Sequence, residues 1–157
     1  MIRVLLADDN LFVRSALVDL LSAGGDLEIV AECADGDEVV PAVEQTRPDV
    51  VILDLAMTRV GGLEAARRLL AVQPEARIVI LTATLSAAAV REARILGVAG
   101  YLLKDAEPDE LPGHVRTVAA GGTAWRPDGA SAPSDVVFLT ESTFTATDRS
   151  DSTESPW

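Results

Sequence analysis

Arg47-Pro48-Asp49-Val50-Val51-Ile52-Leu53-Asp54-Leu55 is the stretch on which the fold turns. Its four central apolar residues do not alternate with polar ones, and they stop at an acid. A strand with one wet face alternates, whereas a strand covered on both faces reads as a continuous, β-branched and Leu-rich run. Val50-Val51-Ile52-Leu53 is therefore expected to be an interior strand of a parallel sheet, with Asp54 at its carboxyl end.

Runs of the same kind recur on either side: Val4-Leu5-Leu6, Ile29-Val30-Ala31, Ile78-Val79-Ile80-Leu81 and Tyr101-Leu102-Leu103. Helical spacing fills the gaps. Val13, Ala16, Leu17, Leu20 and Leu21 fall on one face of a first helix, which Gly24-Gly25 would stop. Asp35 and Glu38 stand at capping-box spacing before a second. Leu63, Ala66 and Leu70 mark a third. Ser86 can cap a fourth, Ala87 to Leu96, which Gly97 ends; Leu111, Val115 and Val118 mark a fifth, with Pro108 placed for its first turn. Pro41 falls inside the second helix unless that helix starts late. An interior proline costs about 3 kcal/mol or more, so a kink or fraying is expected there, and a milder effect at Pro112 near the start of the fifth. A β-α unit repeated five times implies a parallel sheet with right-handed crossovers and helices on both faces. In such folds the functional crevice lies at the carboxyl ends of the strands.

Those ends carry a distinctive set of side chains. Asp8-Asp9 ends the first strand, Asp54 the third and Thr82 the fourth, and Lys104 follows the fifth. One aspartate after a strand is ordinarily a turn residue or a cap, a lone threonine there is unremarkable, and a lone lysine is a solvated charge. Four strand ends converging on one side make the set informative. Close carboxylates repel one another, and an oxygen-loving divalent cation relieves that; Mg²⁺ takes one or two carboxylates and keeps phosphate oxygens and waters. A carboxylate can also attack phosphorus to give an aspartyl phosphate. Phosphoryl transfer needs little more than positioning and charge neutralisation, for which Lys104 offers an ammonium and Thr82 a hydroxyl. Ala83 is small and would leave the place open.

The composition bounds the rest. The 157 residues suit one domain and a tail, and 48% hydrophobic content allows a real core, built mainly from Val, Leu, Ile and Ala because only 4% is aromatic. A net charge of −12 disfavours nonspecific attraction to nucleic acid or anionic membrane. Cys33 is the single cysteine, so no internal disulfide forms; with no signal-peptide layout and no apolar run near the roughly 20 residues that span a bilayer, a cytoplasmic location and no membrane association are expected. Cys33 reads as a buried, inert thiol, His114 as a surface or interface residue, and Trp125 as packing where the chain leaves the domain. From Pro127 to Trp157, 11 of 31 residues are Ser or Thr, with six acids against one Arg; this stretch is expected to be largely disordered.

The stretches Ile2-Arg3-Val4-Leu5-Leu6-Ala7-Asp8-Asp9, Arg47 to Leu55 as quoted above, Leu81-Thr82-Ala83, Gly100-Tyr101-Leu102-Leu103-Lys104-Asp105 and Ala119-Ala120-Gly121-Gly122-Thr123 together resemble the receiver domain of two-component response regulators. The likeness is greatest to the NarL/FixJ-like subfamily and runs from residue 2 to about 126 without large gaps. The resemblance implies a flavodoxin-like (βα)5 receiver fold, a five-stranded parallel sheet in order 2-1-3-4-5. The receiver would occupy residues 1–126, and 127–157 would be the acidic tail. It implies that Asp54 takes a phosphoryl group from a sensor histidine kinase. Asp9, Asp54 and the Ala56 backbone carbonyl would hold Mg²⁺ (or Mn²⁺), with Asp8 in support through water. Lys104 and Thr82 would contact the phosphoryl oxygens, and Tyr101 would swing inward as Thr82 moves. The fourth and fifth helices and the fifth strand would form the output surface for a downstream protein partner. A homodimer is plausible for the subfamily through the first and fifth helices or through the fourth and fifth.

Two positions depart from the family: Thr58 stands where proline is usual, and Gly61 where an acid is frequent. Loop stiffness is thereby in question. Asn10 occupies a frequent histidine position and can cap the first helix. A haloacid-dehalogenase-like phosphatase also uses Asp on a parallel sheet, but needs a second Asp two positions on; here those positions hold Ala56 and Asn10. NarL/FixJ regulators usually carry a helix-turn-helix domain, weakly echoed by Leu139-Thr140-Glu141. Only 18 residues follow Leu139, too few for several helices and without a basic pattern. No direct DNA binding is expected from this chain; the alternative is a truncated or diverged NarL/FixJ-type transcriptional regulator.

Overall fold

The computed structural model describes residues 1–104 and 108–125. The expectations placed on 127–157, and Asp105 in the matched stretch, lie outside these residues. Within them the chain runs β1 (Ile2–Ala7), α1 (Leu11–Ser22), β2 (Leu27–Cys33), α2 (Val39–Thr46), β3 (Val50–Asp54), α3 (Gly62–Val72), β4 (Ile78–Thr82), α4 (Ala87–Leu96), β5 (Gly100–Leu103), α5 (Leu111–Ala119) and β6 (Ala124–Trp125). The sheet order is β2-β1-β3-β4-β5-β6, and the pairings among the first five strands are all parallel.

Every residue of β3 and of β4 is buried, as two-sided cover requires. Val4, Leu6, Val50, Ile52, Val79, Leu81 and Leu102 face Leu17 and Leu21 of α1 and Leu111, Val115 and Val118 of α5. Their neighbours Leu5, Val51, Leu53, Ile80 and Tyr101 point to the opposite face, because side chains alternate along a strand, and are equally buried. Val39, Val43, Ala65, Ala66, Leu69 and Ala93 of α2, α3 and α4 are buried there. At 25 cal/mol per Å² of apolar surface, burying each Leu or Ile of this core is worth about 1.5–3 kcal/mol. Among the described residues no helix is long and apolar enough to cross a membrane.

Several expectations change. Helix α2 starts late, at Val39, so Pro41 sits in its first turn, where an N–H would have no intrahelical partner anyway. Asp35 and Glu38 frame a 3₁₀ turn, Gly36–Glu38, rather than a capping box: Glu38 Oε1 accepts from Ala34 N at 3.0 Å, and no side chain caps α2 itself. Pro108 likewise begins a 3₁₀ turn, Pro108–Glu110, and α5 follows with Pro112 near its start. Finally, the sheet gains a short sixth strand. Ala124 N donates to Ala99 O at 2.9 Å, and Gly100 lets Ala124 O approach so closely that a Cβ at 100 would stand 2.5 Å from it. In α3 it is Leu69 that is fully buried, while Leu63 and Leu70 flank it half-buried; in α1, Ala16 is exposed.

The fourth helix fits its sequence closely. Ser86 Oγ accepts from Ala89 N at 3.2 Å, and Gly97, at φ +87°, closes the other end in the left-handed conformation that glycine adopts without strain. Of α4 only the small side chains of Ala89 and Ala93 are buried; Val90 and Leu96 are half-buried, and Glu92 pairs with Arg67 of α3.

Candidate functional site

Strand register brings the functional ends together. Ala7 pairs with Leu53, Asp54 with Leu81 and Thr82 with Leu103. Asp8 and Lys104 each follow directly, and Lys104 N donates to Thr82 O at 2.8 Å. One oxygen from each of Asp8, Asp9 and Asp54 lies within 4.8 Å of the others. Lys104 Nζ reaches Asp8 Oδ2 at 2.6 Å and Asp54 Oδ2 at 3.2 Å. Asp8 is 1% and Asp54 7% exposed, whereas Asp9 faces solvent.

Charge in this pocket is under tension. Burial, and then the charge of Asp8, push the Asp54 carboxyl above its ordinary range, against the opposing pull of Lys104 and of the Ala56 N–H. For Lys104, burial works against the charge, but the hydrogen bond to Asp8 and the negative charges of Asp54 and Asp8 outweigh it and hold the ammonium more firmly than usual. Three carboxylates against one ammonium leave an excess of negative charge, and all the facing donors are hard oxygens. That donor set suits Mg²⁺ or Mn²⁺ rather than a thiophilic metal.

The loops fix the carboxylates. Asp8 Oδ1 accepts from Asn10 N at 2.9 Å, and Asn10 Oδ1 in turn caps α1 through Val13 N at 3.1 Å. Arg14, paired with Glu32 at 3.2 Å, donates to Asp8 O at 2.5 Å. After β3 the chain turns sharply: Gly62 N donates to Leu55 O at 2.9 Å, and a Cβ at 62 would stand 2.3 Å from Asp54 O. Ala56 is exposed on this loop. Thr82 is buried at the end of β4, its Oγ1 accepting from Thr84 N at 3.2 Å, and Tyr101 on β5 is wholly buried.

Two residues of the site escaped the sequence reading. Thr58 Oγ1 donates to Asp9 Oδ2 at 3.2 Å, so the residue at the usual proline position touches a carboxylate of the cluster. Asp35, taken for a cap, accepts from Gly36 N, Val60 N and Arg59 N at 2.7, 2.8 and 2.9 Å. Burial opposes its charge, yet those three N–H groups prevail and keep its carboxyl below the usual range. The Asp-Gly pair after β2 was the available signal, but its partners lie 24 and 25 residues away.

The remaining singled-out residues stand apart from the cluster. Cys33 is buried, and burial followed by the charge of Glu38 pushes its thiol up to about 11. His114 on α5 lies 3.8 Å from Glu110 and belongs to no metal-ligating group among the described residues. Trp125 is half-buried in β6.

Comparison with known proteins agrees with this geometry. Residues 4–116 match the response regulator receiver domain model. The chain is 38% identical over 125 residues to the uncharacterized transcriptional regulatory protein YxjL of Bacillus subtilis, covering 80% of this chain and 57% of that one. It is 40% identical over 121 residues to the DNA-binding transcriptional activator DevR/DosR of Mycobacterium tuberculosis, covering 77% and 56%. The chain thus spans a little over half the length of these curated relatives. Among solved structures, a LuxR-family two-component response regulator from Aurantimonas superposes with a TM-score of 0.76 at 34% identity, over 80% of this chain and 89% of that one. The receiver domain of the response regulator NarL from Mycobacterium tuberculosis gives 0.72 at 31%, over 76% and 97%. With its fold, its strand-end residues and its sequence all in agreement, the chain belongs to the response regulator receiver domain family and is the receiver of a two-component response regulator, a signalling switch rather than a conventional enzyme.

Proposed function

We propose that Asp54 is the phosphoacceptor of this receiver, taking its phosphoryl group from a sensor histidine kinase. The observation that carries the reading is the nearly buried Asp54 carboxylate held between Asp8 and Lys104. Asp54 Oδ would attack phosphorus as the P–N bond to the kinase histidine breaks, leaving the electron pair on the imidazole. Asp9, Asp54 and the Ala56 carbonyl would hold Mg²⁺ or Mn²⁺, with Asp8 in support; the cation would supply charge neutralisation for the phosphoryl oxygens. Lys104 would bind one of those oxygens by its ammonium, and Thr82 another by its hydroxyl after leaving Thr84 N.

Phosphorylation adds roughly one negative charge and new acceptor oxygens. In this reading Thr82 and Lys104 follow those oxygens, Tyr101 adjusts behind Thr82, and α4 moves, having only two alanines fully buried. Full reversal of a 1:99 equilibrium needs about 5.5 kcal/mol, within reach of several charge-assisted contacts in a shielded pocket. Residues 1–126 form the switching unit, and α4, β5 and α5 present the changed surface to a second copy or a downstream protein. The naming of the relatives as transcriptional regulators favours transcription control as the eventual output; a gel shift with promoter fragments reads direct DNA binding by this chain, which the reading does not require. The decisive experiment is intact-mass measurement after acetyl phosphate, with and without Mg²⁺. Wild type gains one phosphoryl mass only with Mg²⁺ and Asp54→Asn gains none; equal labelling of both would move the acceptor elsewhere.

A further inference from the structure

We propose that Asp35, which contributes nothing to the pocket itself, is the positioning residue of its metal end, acting through the backbone of Arg59 and Val60. The inference rests on the reading of Asp9, Asp54 and the Ala56 carbonyl as cation ligands.

Asp35 lies in the turn between β2 and α2 and is 2% exposed. A cap of that turn needs only its bond to Gly36 N. The other two bonds leave the turn and grasp the loop after β3, Oδ1 holding Val60 N and Oδ2 holding Arg59 N. Gly36 N adds a third strap by donating to Val60 O at 3.1 Å, and a Cβ at 36 would stand 2.3 Å from that oxygen. The two backbones are therefore in direct contact.

What this clamp holds is the segment that carries Ala56. The loop is closed at its base by Gly62 N to Leu55 O. It contains no proline, and two adjacent glycines, Gly61 and Gly62, end it. The chain itself therefore supplies little stiffness. Ala56 is two residues from Asp54 and three from Arg59, so its carbonyl is placed by β3 on one side and by Asp35 on the other. Thr58, between the clamp and Ala56, contacts Asp9 only while the loop stays in place. Releasing Asp35 thus loosens both a ligand carbonyl and the partner of a ligand carboxylate without altering either. The Arg59 guanidinium, which pairs with Asp37 and Glu38 in solvent, decorates the clamp from outside.

The test is Mg²⁺ titration of the unphosphorylated full chain, followed by calorimetry and by the amide shifts of Ala56 and Gly62, beside urea midpoints for each variant. Loss of a partner that orients metal ligands typically weakens binding about 10–100-fold. Asp35→Ala is expected to weaken Mg²⁺ by about tenfold or more, while acetyl phosphate labelling at saturating Mg²⁺ stays near wild type. Asp35→Asn, which keeps one acceptor oxygen, falls between; it carries the test alone if Asp35→Ala does not fold. Arg59→Ala binds Mg²⁺ as wild type does. Val118→Ala, a core truncation on the α5 face, lowers the urea midpoint without changing Mg²⁺ affinity. Wild-type affinity in folded Asp35→Ala or Asp35→Asn, or equal weakening in Val118→Ala, overturns the proposal. Asp9→Asn and Asp54→Asn binding Mg²⁺ as tightly as wild type would instead overturn the site on which it rests.

Discussion

Replacing Asp54 with asparagine is expected to make the metal-free protein more stable. At an effective dielectric of about 20, two carboxylates with oxygens no more than 4.8 Å apart repel by at least about 3.5 kcal/mol. Asp8 exerts that repulsion on Asp54 in a buried setting, and exposed Asp9 exerts about half of it after screening. The Lys104 ammonium at 3.2 Å returns about 5 kcal/mol. Attraction and repulsion therefore nearly cancel, and the cost of keeping a charge at a 7% exposed carboxylate is left over. Asparagine removes that cost while retaining an oxygen for Lys104 and for the Ala56 N–H. The expected gain is about 1–2 kcal/mol, or roughly 4–8 °C in Tm for a domain of this size. The pH dependence has a definite sign. The folded carboxyl is raised above 3.8, so its ionisation opposes folding fully above the folded value and not at all below the unfolded one. The advantage of Asp54→Asn should be complete at neutral pH and vanish as pH falls through the raised folded value and below 3.8. Mg²⁺ acts oppositely: at a hundredfold excess over Kd it stabilises its binding partner by about 2.7 kcal/mol, and wild type should recover more than the variant. Urea unfolding in chelator and in Mg²⁺, at neutral and acid pH, reads all of this. A variant no more stable than wild type in chelator at neutral pH would refute the account of the pocket as overcharged.

Ser86→Ala removes the acceptor of Ala89 N and should cost about 1 kcal/mol; because α4 has so little buried surface, amide exchange in Ala87–Leu96 should accelerate before global unfolding does, and unchanged exchange would mean that Ser86 does not hold that end. Cys33, with its thiol near 11, carries only about a thousandth of its population as thiolate at pH 8, so iodoacetamide should label it only at the rate of unfolding; rapid labelling of the native protein would contradict its burial.

The fold was legible because its strands are interior. Val50-Val51-Ile52-Leu53 and Ile78-Val79-Ile80-Leu81 are apolar without alternation, and both strands proved buried throughout. Strand β6 was not legible, since Ala124-Trp125 has no run to recognise and depends on the bond of Ala124 N to Ala99 O and on the space left by Gly100. Pro41 misled because proline is read against a helix boundary, and the 3₁₀ turn at Gly36–Glu38 moved that boundary three residues on. The meeting of Asp8, Asp9, Asp54 and Lys104 followed from parallel order alone, which carries every such residue to one edge. Asp35 and Thr58 were opaque for the opposite reason. Their partners depend on how two loops approach each other, and spacing along the chain does not encode that.

The pairing of Ala124 with Ala99 has a mechanical corollary. Tension applied at Ala124 enters the sheet beside Gly100, at the start of the strand whose far end leads to Lys104. A tug there loads β5 before it reaches β1 or β2. The bond at Ala99 and the ammonium facing Asp54 are joined by β5 alone, a lever of four residues.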